Sequence, residues 1–188
     1  MLTKEELSGI IDALGALTLD EIELVVKELS FTKREEPSSP EYIGELCKES
    51  LAEHVLEIVS CEEVVGIEQN ENLYCIPGPN AFPDIPFELS EVIDVLELSK
   101  REVDLSSVSK RFCANIKTKA VDLEEKVDSL QGLRISASEF SSLEAQYSKL
   151  LNLYYDYDFW LPEGIEVAED DLQVLSKKLE HLRAAQDI

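Results

Sequence analysis

The sequence predicts a mainly helical protein in two parts, a small α+β domain at the N-terminus and a set of longer helices after it. Three observations carry this. Two capping boxes open consecutive amphipathic stretches near the start, two β-prone runs flank a turn-rich spacer near residue 70, and from Asp104 onward apolar residues recur at helical spacing.

The boxes are Thr3-Lys4-Glu5-Glu6 and Thr18-Leu19-Asp20-Glu21. In such a box the threonine hydroxyl accepts from the amide three residues on, and the glutamate carboxylate accepts from the threonine's own amide. Leu7, Ile10, Ile11, Leu14 and Leu17 give the first helix one apolar face, and Leu19, Ile22, Val25, Val26 and Leu29 do so for the second. The two abut at Leu17-Thr18, and so tight a joint favours a steep crossing. Residues 33–39 are polar and form a loop. Ser38 or Ser39 then caps a third helix with Pro40 in its first turn, where the missing N–H costs nothing. Tyr42, Ile43, Leu46, Cys47 and Leu51 are its apolar face, and it is expected to run to about Ile58. Residues 64–67 and 73–76 then form a hairpin around the spacer 68–72. Three helices and a hairpin are the element order of a winged helix, so residues 1–76 are predicted to be a winged-helix-like domain.

Residues 77–86 contain four of the seven prolines. Proline fixes φ and biases its predecessor to extended geometry, so this is a stiff strap. Ile76, Phe82 and Ile85 are expected to pack it down, and Pro77-Gly78-Pro79-Asn80 offers a groove lining as a second reading.

Residues 87–188 are predicted to be a C-terminal helical bundle. A short helix over 87–98 is followed by a long one from 105 to 130, capped by Asp104. Leu105, Val108, Phe112, Ile116, Ala120, Leu123, Val127 and Leu130 form a heptad-like seam on the long helix. The seam serves as the core face of a bundle helix or, alternatively, as a homodimer interface. Gln131-Gly132 stops the helix, and a third box, Ser136-Ala137-Ser138-Glu139, opens the next, which is expected to return antiparallel. That helix ends in a crowd of rings, Tyr154, Tyr155, Tyr157, Phe159 and Trp160, before Pro162-Glu163-Gly164. A last helix over 168–185 turns Leu172, Leu175, Leu179 and Leu182 inward.

Charge narrows the function. The net charge is −23, and residues 1–86 alone carry 19 acids against 5 bases. Such a field repels polyanions and suits a basic partner. A DNA-reading third helix wants lysine and arginine, yet this one carries Glu41, Glu45, Glu49 and Glu53 against Lys48. The basic residues gather instead at Lys110, Arg111, Lys117 and Lys119, a candidate nucleic-acid or partner contact. The rings from Tyr154 to Trp160 are a candidate partner hot spot, because tyrosine and tryptophan dominate interface energetics.

Chemistry-bearing motifs are missing. No P-loop, dinucleotide-binding or nucleophile-elbow pattern occurs, and Cys47 and His54 lie about 10 Å apart along a helix, beyond hydrogen-bond reach. Cys47, Cys61, Cys75 and Cys113 lack zinc-knuckle spacing and are expected to be free thiols, with a Cys61–Cys75 bridge as the alternative. No cofactor, metal or catalytic residue is expected. No apolar run reaches the ~20 residues of a membrane helix, and the opening residues are unlike a signal peptide, so a cytoplasmic protein without membrane contact is expected. The resulting reading is a non-enzymatic acidic adaptor with a protein partner. The alternative is a winged-helix transcription regulator that binds DNA as a dimer.

The runs Leu2-Thr3-Lys4-Glu5-Glu6-Leu7, Ile11-Asp12-Ala13-Leu14-Gly15-Ala16-Leu17-Thr18 and Glu28-Leu29-Ser30-Phe31 resemble the opening of an uncharacterised archaeal family of small acidic proteins. So do Ile76-Pro77-Gly78-Pro79-Asn80-Ala81-Phe82-Pro83 and Arg101-Glu102-Val103-Asp104. The resemblance spans residues 2–120 and implies a cytosolic protein with a helix-turn-helix-like start; it transfers no activity and no site residue. The chain is richer in lysine and isoleucine than a strongly salt-adapted protein. By architecture alone it is also similar to acidic winged-helix proteins that bind protein partners, such as chromosome-segregation accessory subunits.

Overall fold

The computed structural model describes residues 2–162 and 164–186, without the side chains of 166–169 and 186; Glu163 of the expected helix stop lies outside these. Two compact units divide the chain, Met1–Asp104 and Leu105–Ile188. Among the described residues there are seven α-helices and one two-stranded antiparallel sheet.

In the first unit, α1 (Lys4–Leu14) and α2 (Leu19–Lys33) begin at Thr3 and Thr18, and both capping boxes are closed in both directions. Gly15 makes the tight joint between them. Its φ is +83°, and a Cβ there would lie 1.8 Å from the Arg101 carbonyl oxygen. Ser39 caps α3 (Pro40–Ala52), its hydroxyl accepting from the Tyr42 amide at 3.2 Å. Two strands follow, β1 (Leu56–Ser60) and β2 (Leu73–Pro77), with Leu56 opposite Pro77 and Ser60 opposite Leu73. Leu17, in the α1–α2 joint, pairs with Cys75 on β2 through both backbone hydrogen bonds, 3.1 and 2.7 Å.

The hairpin therefore differs from the expected one. The third helix stops at Ala52, because His54 takes a left-handed φ of 57°, and the residues expected to prolong it become β1. Leu56, Ile58 and Val59 suit a strand, and Leu56 and Val59 are buried by it. Residues 64–67 are no strand of this hairpin. Val64 bridges to Val103, and the Val65 amide donates to the Glu102 carbonyl at 2.9 Å.

The core of this unit combines Leu7, Ile10, Ile11 and Leu14 of α1 with Ile22 and Val25 of α2, Ile43 of α3 and Leu56 of β1. Leu89 and Val92 of the short helix α4 (Leu89–Val95) join it. The Pro-rich residues 77–86 and α4 thus lie inside the first unit. The strap is held differently from expectation. Ile76 is buried, but Phe82 and Ile85 are exposed, and backbone contacts anchor the run instead. The Gly78 amide donates to the Val55 carbonyl at 2.9 Å and the Asp84 amide to the Glu5 carbonyl at 2.9 Å.

The second unit contains α5 (Leu105–Ser129), α6 (Ala137–Trp160) and α7 (Glu166–Gln186), each in contact with the other two. Six of the eight residues of the heptad-like seam, Val108, Phe112, Ile116, Ala120, Leu123 and Val127, are buried within the chain, and Leu105 and Leu130 are half-buried. Leu172, Leu175, Leu179 and Leu182 of α7 are buried too.

Candidate partner-binding surface

Helix α3 turns Ile43, Leu46, Cys47 and Ser50 inward, which sets Glu41, Glu45, Lys48, Glu49 and Glu53 at the solvent side. Capping and burial decide this orientation, since the apolar residues recur at three- and four-residue spacing. Two ammonium groups answer the carboxylates. Lys48 pairs with Glu45 at 3.4 Å, both largely exposed, and Lys4 of α1 reaches Glu53 at 2.9 Å and Glu49 at 3.3 Å. The hydrogen bond that Lys4 donates to Glu53 raises the Lys4 pKa above the usual lysine value, so this ammonium stays charged. Glu41 sits in the first turn, where its own amide and the Ser39 hydroxyl hold its carboxyl below the usual range. The face remains net negative.

The connection between β1 and β2 continues that sign. Residues 61–72 contain four glutamates and no lysine or arginine. Glu63 is buried and caps Ser60, accepting from its amide at 2.8 Å, while Glu62, Glu68 and Glu71 are exposed. The connection is tied down: the Cys61 thiol donates to the Asn70 carbonyl at 2.9 Å, and the Asn70 side chain accepts from the Asn72 amide and donates to the Tyr74 hydroxyl.

The basic candidates sit on α5. Lys110, Arg111 and Lys119 are exposed and Lys117 is half-buried. At about 100° per residue, Lys110 and Lys117 share a face, while Arg111 and Lys119 lie about 100° and 180° around the axis from Lys110. The four therefore fan around the helix rather than forming one patch. The Arg111 guanidinium lies over the Phe112 ring, 4.8 Å from its centroid.

The ring crowd on α6 divides. Tyr154 and Tyr157 are buried, Tyr157 stacks on Phe112 with centroids 4.4 Å apart, and Trp160 meets both Phe112 and Tyr157 edge-on. Tyr155 and Phe159, one turn apart, face outward at 59% and 93% exposure. That pair is exposed as a hot spot requires, while Trp160 is half-buried.

All four cysteines are free. Burial pushes the Cys47 thiol up to about 12 and the Cys75 thiol to about 11, so neither supplies a thiolate near neutrality. Among the described residues, no group of three or more His, Cys, Asp or Glu is placed to hold a metal ion, and no helix is long and apolar enough to cross a membrane.

Sequence reasoning missed the long-range ion pairs, two of which involve the capping-box glutamates. Arg101 grips both carboxylate oxygens of Glu21 at 2.5 and 2.6 Å, donates to the Ala16 carbonyl and lies 5.5 Å from the Tyr74 ring centroid. Lys33 pairs with Glu6 at 3.0 Å. In each, burial pushes the carboxyl up, but the cation and the capped amide outweigh it and hold it below the usual range. The capping-box glutamates were legible; their distant partners, 80 and 27 residues away, left no local signal.

Residues 5–177 match the Family of unknown function (DUF7109), and the chain belongs to that family. No curated protein and no solved structure matches it.

Proposed function

For this member of a family of unknown function, we propose a non-enzymatic adaptor that recognises a basic protein partner through a winged-helix-like N-terminal unit. The winged-helix reading is supported by element order: helix, the single bridging residue Leu17, two helices, then two strands, with Leu17 paired to the second strand. In that architecture the third helix and the hairpin loop face the ligand. The observation that carries the function is the sign of this face. Glu41, Glu45, Glu49 and Glu53 occupy the positions where phosphate-binding cations would stand.

Carboxylates arranged this way steer basic surfaces inward and repel nucleic acid. The test is capture of proteins from a lysate on the immobilised full chain and on the Glu45→Lys/Glu49→Lys double variant. The expected result is a retained set dominated by basic proteins that the variant loses. An identical set on both baits overturns the reading.

A further inference from the structure

We infer that the Pro-rich strap and the cavity at its end form a docking site for an extended basic segment of a partner protein, one of whose arginine side chains enters the cavity. This rests on the partner-binding reading above and adds a surface and a chemistry to it.

The strap is a fixed ledge. Its backbone is bonded at Asp84 to the Glu5 carbonyl and at Asn80 to the His54 carbonyl, 2.9 and 3.0 Å, and the Asn80 side chain donates to the Glu53 carbonyl at 2.9 Å. It lies so close to α1 that a Cβ on Gly9 would sit 2.2 Å from the Asp84 oxygen. With the backbone so held, the side chains point outward. Phe82 is 81% and Phe87 95% exposed, with Ile85 exposed between them. Three large apolar side chains within six residues of rigid backbone form the kind of exposed patch that marks interaction sites.

The cavity adjoins Pro86 at the end of the strap. Its volume is ≈ 120 Å³, well below the roughly 300 Å³ where cofactor and metabolite sites begin, so it suits one side chain. Leu2, Val26, Leu29 and Pro86 offer an apolar wall for an aliphatic stem. Glu6, Glu35 and Glu36 supply carboxylates against Lys33, whose ammonium is already bonded to Glu6 at 3.0 Å. Glu35, whose charge also acts on the Lys33 ammonium, and Glu36 are exposed. Two exposed rings are next in the chain to lining residues: Phe31, 79% exposed, follows Ser30, and Phe87 follows Pro86. Several carboxylates in one small cavity suit the forked guanidinium, which can bond two of them, better than a lysine ammonium. A second copy of this chain is a poor occupant, because each copy carries −23. Nucleic acid and anionic bilayers are disfavoured for the same reason.

The experiment is anisotropy of a fluorescein-labelled dodecapeptide of alternating arginine and leucine titrated with the full chain at 150 mM salt, alongside the same peptide carrying citrulline for arginine. The expected result is saturable binding that falls tenfold or more with citrulline. It should also fall tenfold or more in Phe31→Ala/Phe87→Ala and in Glu35→Lys/Glu36→Lys. These four side chains are exposed, so both variants keep the fold. Asp122→Lys/Glu125→Lys, at two exposed carboxylates of α5, changes net charge equally and serves as control. Loss of binding in Glu45→Lys/Glu49→Lys alone overturns the docking site and leaves the partner-binding reading standing. Equal binding of both peptides by every variant overturns both. Binding to phosphatidylcholine vesicles abolished by Phe31→Ala/Phe87→Ala, or a dimer by light scattering that this variant dissolves, assigns the surface to a membrane or to a second copy and also overturns the inference.

Discussion

Leu17 and Cys75 exchange both of their backbone hydrogen bonds, at 3.1 and 2.7 Å, although 58 positions separate them. The pair joins the α1–α2 joint to β2 and so fixes the hairpin against the helices that position α3. The joint reaches β2 because Gly15 turns through positive φ where any Cβ would strike Arg101. If this bridge is a permanent part of the sheet, the amides of Leu17 and Cys75 exchange with solvent as slowly as those within the β1–β2 ladder. Hydrogen exchange followed by NMR measures this. Fast exchange at Leu17 with protection retained on β1 would show that the bridge opens on its own.

Acid should loosen the Glu21–Arg101 pair. The folded Glu21 carboxyl lies below its ordinary 4.5 because Arg101 and the Thr18 amide outweigh the burial that pushes it up. A depressed carboxyl adds stability that is fully present above the unfolded value and drains away as pH falls through the folded one. Glu21→Gln is therefore expected to lose about 1–3 kcal/mol at pH 7. Its stability should converge on that of the wild type as the pH drops below 4.5. Denaturant titrations across pH 3–7 provide the check, and a constant gap would assign the loss to something other than charge.

How much of this was legible in the chain depends on range. Thr3, Thr18 and Ser136 open their helices as local spacing said, because a capping box is complete within four residues. The β1 strand was hidden because Leu56, Ile58 and Val59 continue an apolar pattern that suits either period, and the left-handed turn at His54 has no glycine to announce it. The acidic face of α3 was readable from spacing alone. The outward strap was not. Its Phe82 and Ile85 look like core residues until the backbone bond from Asp84 to Glu5 shows which side faces α1.

That bond depends on the absence of a side chain at Gly9. Gly9→Ala is expected to destabilise the first unit by about 1–3 kcal/mol, despite the better helix propensity of alanine, because the new methyl meets the Asp84 carbonyl. Gly44, on α3 with nothing within 4 Å of its would-be Cβ, is the control, and Gly44→Ala should be neutral or stabilising. Equal effects at the two positions would contradict the close approach of strap to helix.

The divided ring cluster gives opposite expectations for neighbours. Tyr157→Ala removes the partner of Phe112 from the interior and should cost about 3–5 kcal/mol. Phe159→Ala, two residues on, removes an exposed ring and should stay within about 0.5 kcal/mol. Thermal or denaturant unfolding of the two variants separates a core from a surface role. A large loss at Phe159 would mean that its ring is covered in solution.

The sign of the α3 face is tested most directly by anisotropy of a labelled random-sequence DNA duplex titrated with the full chain from low to physiological salt. With Glu41, Glu45, Glu49 and Glu53 outward, the expected result is no saturable binding at any salt concentration. Micromolar affinity at low salt that falls steeply as salt rises would contradict it, and would return the function to a nucleic-acid binder.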